Sequence, residues 1–165
     1  MNDFLLSQVI AAVAFACGAI SFQYRSRRAM LFWFTASALG NAGHFLILHV
    51  WTAVILYLIL GARSFVSAFT TNRMWMYLFM GLALMAFVYT YENHLSWLAL
   101  LATLLATYGS FQAVNQRARV LFMLAALTWL AHNIMVGTPV ATLMQVMFLT
   151  SGIIGYWRFH RGLQG

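Results

Sequence analysis

The chain has 165 residues, of which 64% are hydrophobic and 7% charged, whereas an average soluble domain carries about a quarter charged residues. It could not cover a soluble surface, so a water-soluble enzyme or binding domain is excluded. The formal charge of +7 comes from nine arginines and no lysine against Asp3 and Glu92; the arginines fall between apolar runs, which makes them topology signals and argues against nucleic acid as a partner. Cys17, the single cysteine, leaves no intramolecular disulfide and no cysteine-based metal cluster.

A membrane-spanning helix needs about 20 mostly apolar residues, and the chain divides into seven such runs. The predicted spans are Asp3 to Tyr24, Ala29 to Leu48, Trp51 to Thr70, Met74 to Tyr91, Leu95 to Ala113, Ala118 to Val136, and Thr138 to Trp157. The first run has no basic residue before it and Arg25, Arg27 and Arg28 after it, the reverse of a cleavable signal peptide. It reads as a retained span with its N-terminus outside. Arg25, Arg27, Arg28, Arg73, Arg117, Arg119, Arg158 and Arg161 then lie on the cytoplasmic side, as does the C-terminus, and both acids lie outside. Were the fourth run not to cross, four of these eight arginines would change sides, so the charge pattern favours seven spans over six.

Ser21-Phe22-Gln23 recurs as Ser110-Phe111-Gln112, and Arg28-Ala29 as Arg117-Ala118, each 89 positions on. Ala38-Leu39, His44 and Ala53 match Ala126-Leu127, His132 and Ala141 at a spacing of 88. The matches lay spans one to three over spans five to seven in the same order. An odd number of spans per repeat requires one more to restore orientation, which gives the fourth span its role and makes the repeats parallel. The expected fold is all-α, seven transmembrane helices in a 3+1+3 arrangement: a first repeat over 1–72, a linker helix over 73–92, a second repeat over 93–161 and a tail over 162–165. Gly137-Thr138-Pro139 falls opposite His49-Val50-Trp51, and a tight outer turn is expected at both.

Arg63 lies nine residues before Asn72, about 14 Å deep at 1.5 Å per residue and close to the middle of a hydrocarbon core about 30 Å thick. Facing lipid it would cost about 2.5 to 3.5 kcal/mol, so it is expected to face protein. No carboxylate is available at that depth; backbone carbonyls, amides such as Asn41, Gln145 or Gln112, a lipid phosphate or a bound ligand could receive it. Both a carbonyl-bonded packing role and ligand binding remain open.

His44 and His132 occupy equivalent places in the two halves, with Asn41 one helical turn before the first and Asn133 beside the second. They could form a polar collar at the outer mouth of a cavity, but interhelical hydrogen bonding is the commoner use of membrane histidines. Two histidines lack the third ligand a metal site needs. Thr103, Thr107 and Ser110, and Thr142, Gln145, Leu149 and Gly152, form helical stripes that either line a cavity or pack closely. Trp51, Trp75, Trp97 and Trp157 fall near span ends as interfacial anchors. No buried acid pair, catalytic triad, or dinucleotide or phosphate loop is present, so neither an enzyme nor a cofactor is expected.

The parallel three-helix repeats resemble the SWEET sugar transporters and their PQ-loop relatives, in which Pro-Gln near the inner end of each repeat's first helix precedes a basic stretch. Here Phe22-Gln23 precedes Arg25 to Arg28 and Phe111-Gln112 precedes Arg117, without either proline. The resemblance implies substrate-side roles for Gln23 and Gln112. SWEET-type helices hinge at prolines, whereas the single proline here is Pro139 at an outer turn. Along its whole length the chain is similar to the YgjV-type family of bacterial inner-membrane proteins, through His44-Phe45-Leu46, Ala62-Arg63, Trp129 with His132-Asn133, and Tyr156-Trp157-Arg158. That resemblance implies a location and a fold and names no substrate.

Two functions fit. One is a facilitator for a small neutral or anionic solute, bound by Arg63 with Asn41, His44, His132, Asn133, Gln145, Gln23 and Gln112 completing the pocket. The other is a non-transporting accessory protein that interacts with membrane lipids, its small residues packing against a partner or, as a homo-oligomer, another copy.

Overall fold

The computed structural model describes residues 3–49, 51–91, 93–137 and 139–161. Among them lie seven α-helices and no strand: α1 (Asp3–Ser21), α2 (Arg27–Ile47), α3 (Trp51–Phe69), α4 (Arg73–Thr90), α5 (Ser96–Ser110), α6 (Asn115–Val136) and α7 (Pro139–Arg161). Three of the described helices, α1, α2 and α6, are long and apolar enough to cross a membrane, and three shorter apolar segments cover Val54–Phe69, Arg73–Tyr89 and Ser96–Ser110. Near-continuous apolar sequence gives helix here because every main-chain hydrogen bond is then made inside the segment.

The expected runs all become helices, but their basic flanks are helical too. Arg27 and Arg28 open α2, Arg73 opens α4, Arg117 and Arg119 lie within α6, and Arg158 and Arg161 lie within α7. A helix need not stop where the apolar run stops, because long arginine stems can lie along the apolar surface while their heads reach the polar boundary. Glu92, Thr138 and the tail over 162–165 lie outside the described residues.

Local signals fix the boundaries. Ser26 and Asn72 cap α2 and α4 by accepting hydrogen bonds from Ala29 N (3.5 Å) and Met74 N (2.9 Å). Beyond α6 the chain turns left-handed at Gly137 (φ 77°), and 88 positions earlier it does so at His49 (φ 56°), beyond α2. Each expected turn therefore opens on a left-handed residue, after α6 with the residue type that suits it and after α2 without, while Val50, like Thr138, lies outside the described residues. Pro139 supplies the first residue of α7, where its missing N–H costs nothing.

The helices gather into two compact units, Met1–Phe69 and Thr70–Gly165. In the first, α2 packs against both α1 and α3; in the second, α6 packs against α5 and α7, and α4 against α5. Small side chains let backbones approach. A β-carbon placed on Gly40 of α2 would sit 2.7 Å from that of Ala14 on α1, and one on Gly109 of α5 would sit 3.0 Å from that of Leu121 on α6. Met30, Leu31, Ala14 and Phe22 are buried in the first unit, and Ala102, Ala118, Ala125 and Phe111 in the second. Large apolar side chains on the outer faces, with Trp75, Trp97 and Trp157 among them, stay exposed as a lipid-facing surface requires.

Gly40→Ala is expected to lower thermal stability by about 1 to 3 kcal/mol, the cost of overpacking a close contact. Gly81→Ala on α4, where an added β-carbon meets nothing within 4 Å, is expected to leave stability unchanged or raise it by up to about 1 kcal/mol through helix propensity. Melting of both variants in one detergent checks the pair.

Candidate functional site

Arg63 is 7% exposed, in the second half of α3, six residues before its end. The register of α3 against α2 follows from Gly61, whose β-carbon would lie 3.5 Å from that of Ala38. Because the two helices run antiparallel through the His49 turn, Arg63 stands roughly level with residues 35 to 37 of α2. Thr35 and Ser37 at that level are buried, as are Ser64 and Ser67 beyond Arg63. The first unit thus contains a buried polar band built around one guanidinium.

The hydroxyls of that band mostly turn back on their own helices. Thr35 Oγ1 donates to Leu31 O (2.9 Å) and Ser67 Oγ to Ser64 O (2.9 Å), which satisfies a hydroxyl in apolar surroundings without a cross-helix partner. Asn41 does likewise, its Nδ2 donating to Ser37 O at 2.9 Å. His44 reaches across instead: its Nδ1 lies 2.9 Å from Ser7 O of α1, a carbonyl that requires the ring nitrogen to be the donor. This is interhelical bonding of the kind expected for membrane histidines, made to a helix and not to a turn. His44 stands about eight residues from the Arg63 level, some 12 Å along the axis, so within this unit the two lie at different depths.

In the second unit His132 Nδ1 lies 3.3 Å from Asn133 Oδ1 and its ring meets Trp129 edge-on at 5.3 Å, while Asn133 itself is buried. Gln145 is half-buried near the start of α7, roughly level with Leu130 and so within a turn of His132 along the axis. Gln112 follows the end of α5, its Nε2 3.3 Å from Tyr108 O, and lines an open cleft of about 430 Å³ with Arg117 and Tyr156. Gln23, at the corresponding place after α1, is half-buried and its backbone N–H closes the turn onto Ile20 O at 2.9 Å. The stripe on α5 is a packing stripe: Thr103, Thr107 and Ser110 donate to Ala99 O, Thr103 O and Ala106 O, and the last two residues are fully buried. Among the described residues no three metal-capable side chains gather.

Two arginines read as boundary charges in the sequence have interior roles. Arg119 is 1% exposed, and its guanidinium lies 4.7 Å from the centre of the Phe159 ring, joining α6 to α7. Arg27 Nη2 donates to Ser67 O at 2.7 Å, supplying a donor to one of the last carbonyls of α3, which have no partner within the helix. Spacing carries a trace of the first role: residues two apart on a helix point about 200° apart, so Arg117 and Arg119 could not both face outward. Arg28, next to Arg27, sits 4.6 Å over Phe69, whose ring packs with Phe65 and Phe32 on the exposed face.

No curated protein and no solved structure matches the chain. A match to the Imp-YgjV family, described as bacterial inner membrane proteins, covers residues 5–162. With that match over nearly its whole length, and apolar helices of spanning length to account for it, the chain belongs to the Imp-YgjV family of bacterial inner membrane proteins.

Proposed function

We propose that the protein is a seven-span facilitator, without covalent chemistry, for a small neutral or anionic solute, and that Arg63 is its principal binding group. The observation that carries this reading is the burial of Arg63 within α3 in a chain whose acids are only Asp3 and Glu92. A guanidinium buried away from water among neutral hydroxyls favours a stronger acceptor that can reach it, and an anionic or hydroxyl-rich solute is such an acceptor. With Asp3 at the first residue of the first span and Glu92 between spans, no carboxylate lies deep within a span, which argues against cation substrates and favours uniport or exchange over ion coupling. His44, bonded to Ser7 O, acts in this reading as the tie that holds α2 against α1, and Asn41 lines the approach to the band.

The topology proposed with it has the N-terminus outside, the C-terminus in the cytoplasm and two parallel three-helix repeats joined by α4. Three things support it: the one-sided arginines, the left-handed turns 88 positions apart, and the middle helix packing against both neighbours in each trio.

The second reading is a non-transporting accessory protein in contact with lipid, alone or as a homo-oligomer. The exposed aromatic face of Phe32, Phe65 and Phe69 under Arg28 favours it, as does the use of His44 and Asn41 in packing.

Thermal stability of the purified protein against sugars, amino acids, nucleosides, organic anions and lipid headgroups separates the two. A solute at a hundred times its dissociation constant should add about 2.7 kcal/mol, and that gain should vanish in Arg63→Ala while Arg73→Ala keeps it. Stabilisation by lipid alone, equal in both variants, would establish the accessory reading instead. The topology is checked in a Cys17→Ala background carrying Thr71→Cys or His94→Cys, both positions exposed beyond helix ends. A membrane-impermeant maleimide should label His94→Cys on intact spheroplasts and Thr71→Cys only after permeabilisation; labelling of both from one side would remove α4 as a span.

A further inference from the structure

The open cleft of the second unit lies where the α5–α6 turn meets the cytoplasm-proximal end of α7 in the proposed topology. Its polar lining consists of Arg117, Gln112, Gln116 and the tyrosines Tyr108 and Tyr156, with an apolar floor that includes Val120 and Leu121. The guanidinium offers five N–H donors in a planar fork, the amides offer two each and the phenols one each, and no carboxylate lines the space. A cation would find no charge partner there. An anion with several oxygens would find one full charge and donors from three helical segments.

Comparison with the first unit shows what is distinctive here. Gln112, Gln116 and Arg117 stand 89 positions after Gln23, Arg27 and Arg28, and at the spacing of 88 that holds for the later spans Tyr156 stands opposite Ala68, next to Ser67. In the first unit Arg27 crosses to Ser67 O at 2.7 Å and Arg28 lies over the Phe69 ring, so both cations are engaged by α3. In the second, Gln116 replaces Arg27 and the shorter, neutral side chain borders a cleft of about 430 Å³. Arg117 is exposed there on the first turn of α6.

We infer that this cleft binds a phosphate ester, with Arg117 providing the charge, the Gln112 and Gln116 amides and the tyrosine hydroxyls completing the donor set, and the floor accepting glycerol or acyl carbon. Phosphate suits the fork of an arginine and the surrounding neutral donors, which can share its remaining oxygens. The site does not depend on Arg63 or on transport. Two sources present this chemistry at such a place: the headgroup of an anionic membrane lipid and a free phosphate ester.

The full-length protein in mild detergent, titrated with phosphatidylglycerol, phosphatidylcholine, glycerol 3-phosphate and inorganic phosphate, distinguishes them by thermal shift and by lipid retention in native mass spectrometry. Phosphatidylglycerol affinity is expected to fall about tenfold in Arg117→Gln, the loss of one charge-assisted contact, and by a smaller factor in Gln116→Leu, which keeps the charge. Arg73→Gln, with the same change in net charge, is expected to bind as the unaltered chain does. Arg117-dependent binding of phosphatidylglycerol alone identifies lipid as the occupant, and Arg117-dependent binding of glycerol 3-phosphate or inorganic phosphate identifies a free phosphate compound. Equal losses in Arg117→Gln and Arg73→Gln, no loss in either, or equal binding of phosphatidylcholine would overturn the proposal.

Discussion

An apolar chain that leaves water must satisfy its own polar groups, and this requirement organises the whole molecule. Helices satisfy the main chain, after which side-chain hydroxyls are the next liability. Thr35, Thr103, Thr107, Ser110 and Thr128 all resolve it by bonding a carbonyl one turn back on the same helix. A hydroxyl used this way presents mostly carbon to its neighbours, so the small polar residues act as packing residues and allow α1 against α2, and α5 against α6, to approach closely. The few side chains that cannot be satisfied within their own turn then mark where helices are tied together. His44 binds α2 to α1 through Ser7 O, and Arg27 binds α2 to the end of α3 through Ser67 O. Both ties converge on α2, the helix in the middle of its unit.

The helices and turns were legible because they follow from composition and from a few punctuating residues. Runs without charge could only be helical, Gly137 and Pro139 mark one turn, and the spacing of 88 transfers that turn to His49, where local chemistry alone does not show it. Helix ends were less legible, since the apolar run indicates where hydrocarbon ends but the hydrogen-bond ladder continues through Arg27 and Arg28, and through Asn115 to Arg119. The burial of Arg63 could be read from depth and cost. The partner of His44 could not, because Ser7 O is a backbone acceptor on another helix, and nothing in the identity of a residue reports that its carbonyl will be shared. Arg119 escaped for a related reason: charge near a span end counts towards topology, while its burial depends on Phe159, some forty residues away.

The arginines therefore divide by environment and not by position in the sequence. Some face the polar boundary and contribute orientation, as Arg73 and Arg158 do from exposed positions. Others lie inside the protein. With two acids in the chain, ion pairs cannot neutralise them all, so the fold offers softer compensation: carbonyl oxygen for Arg27 and an aromatic face for Arg119, while Arg28, itself exposed, lies over the Phe69 ring. Each of these compensations costs little to desolvate compared with a carboxylate, which is consistent with a molecule that keeps acids out of the middle of its spans.

That preference shapes what the protein can recognise. A carboxylate opposite Arg63 or Arg117 would neutralise the guanidinium permanently and convert a binding group into a structural one. In the proposed reading, neutral hydroxyl, amide and carbonyl groups hold a guanidinium less strongly than a carboxylate would, so an incoming anion offers it a stronger partner. On that reading the same basic, acid-poor composition serves both the orientation of the helices and a preference for electron-rich ligands.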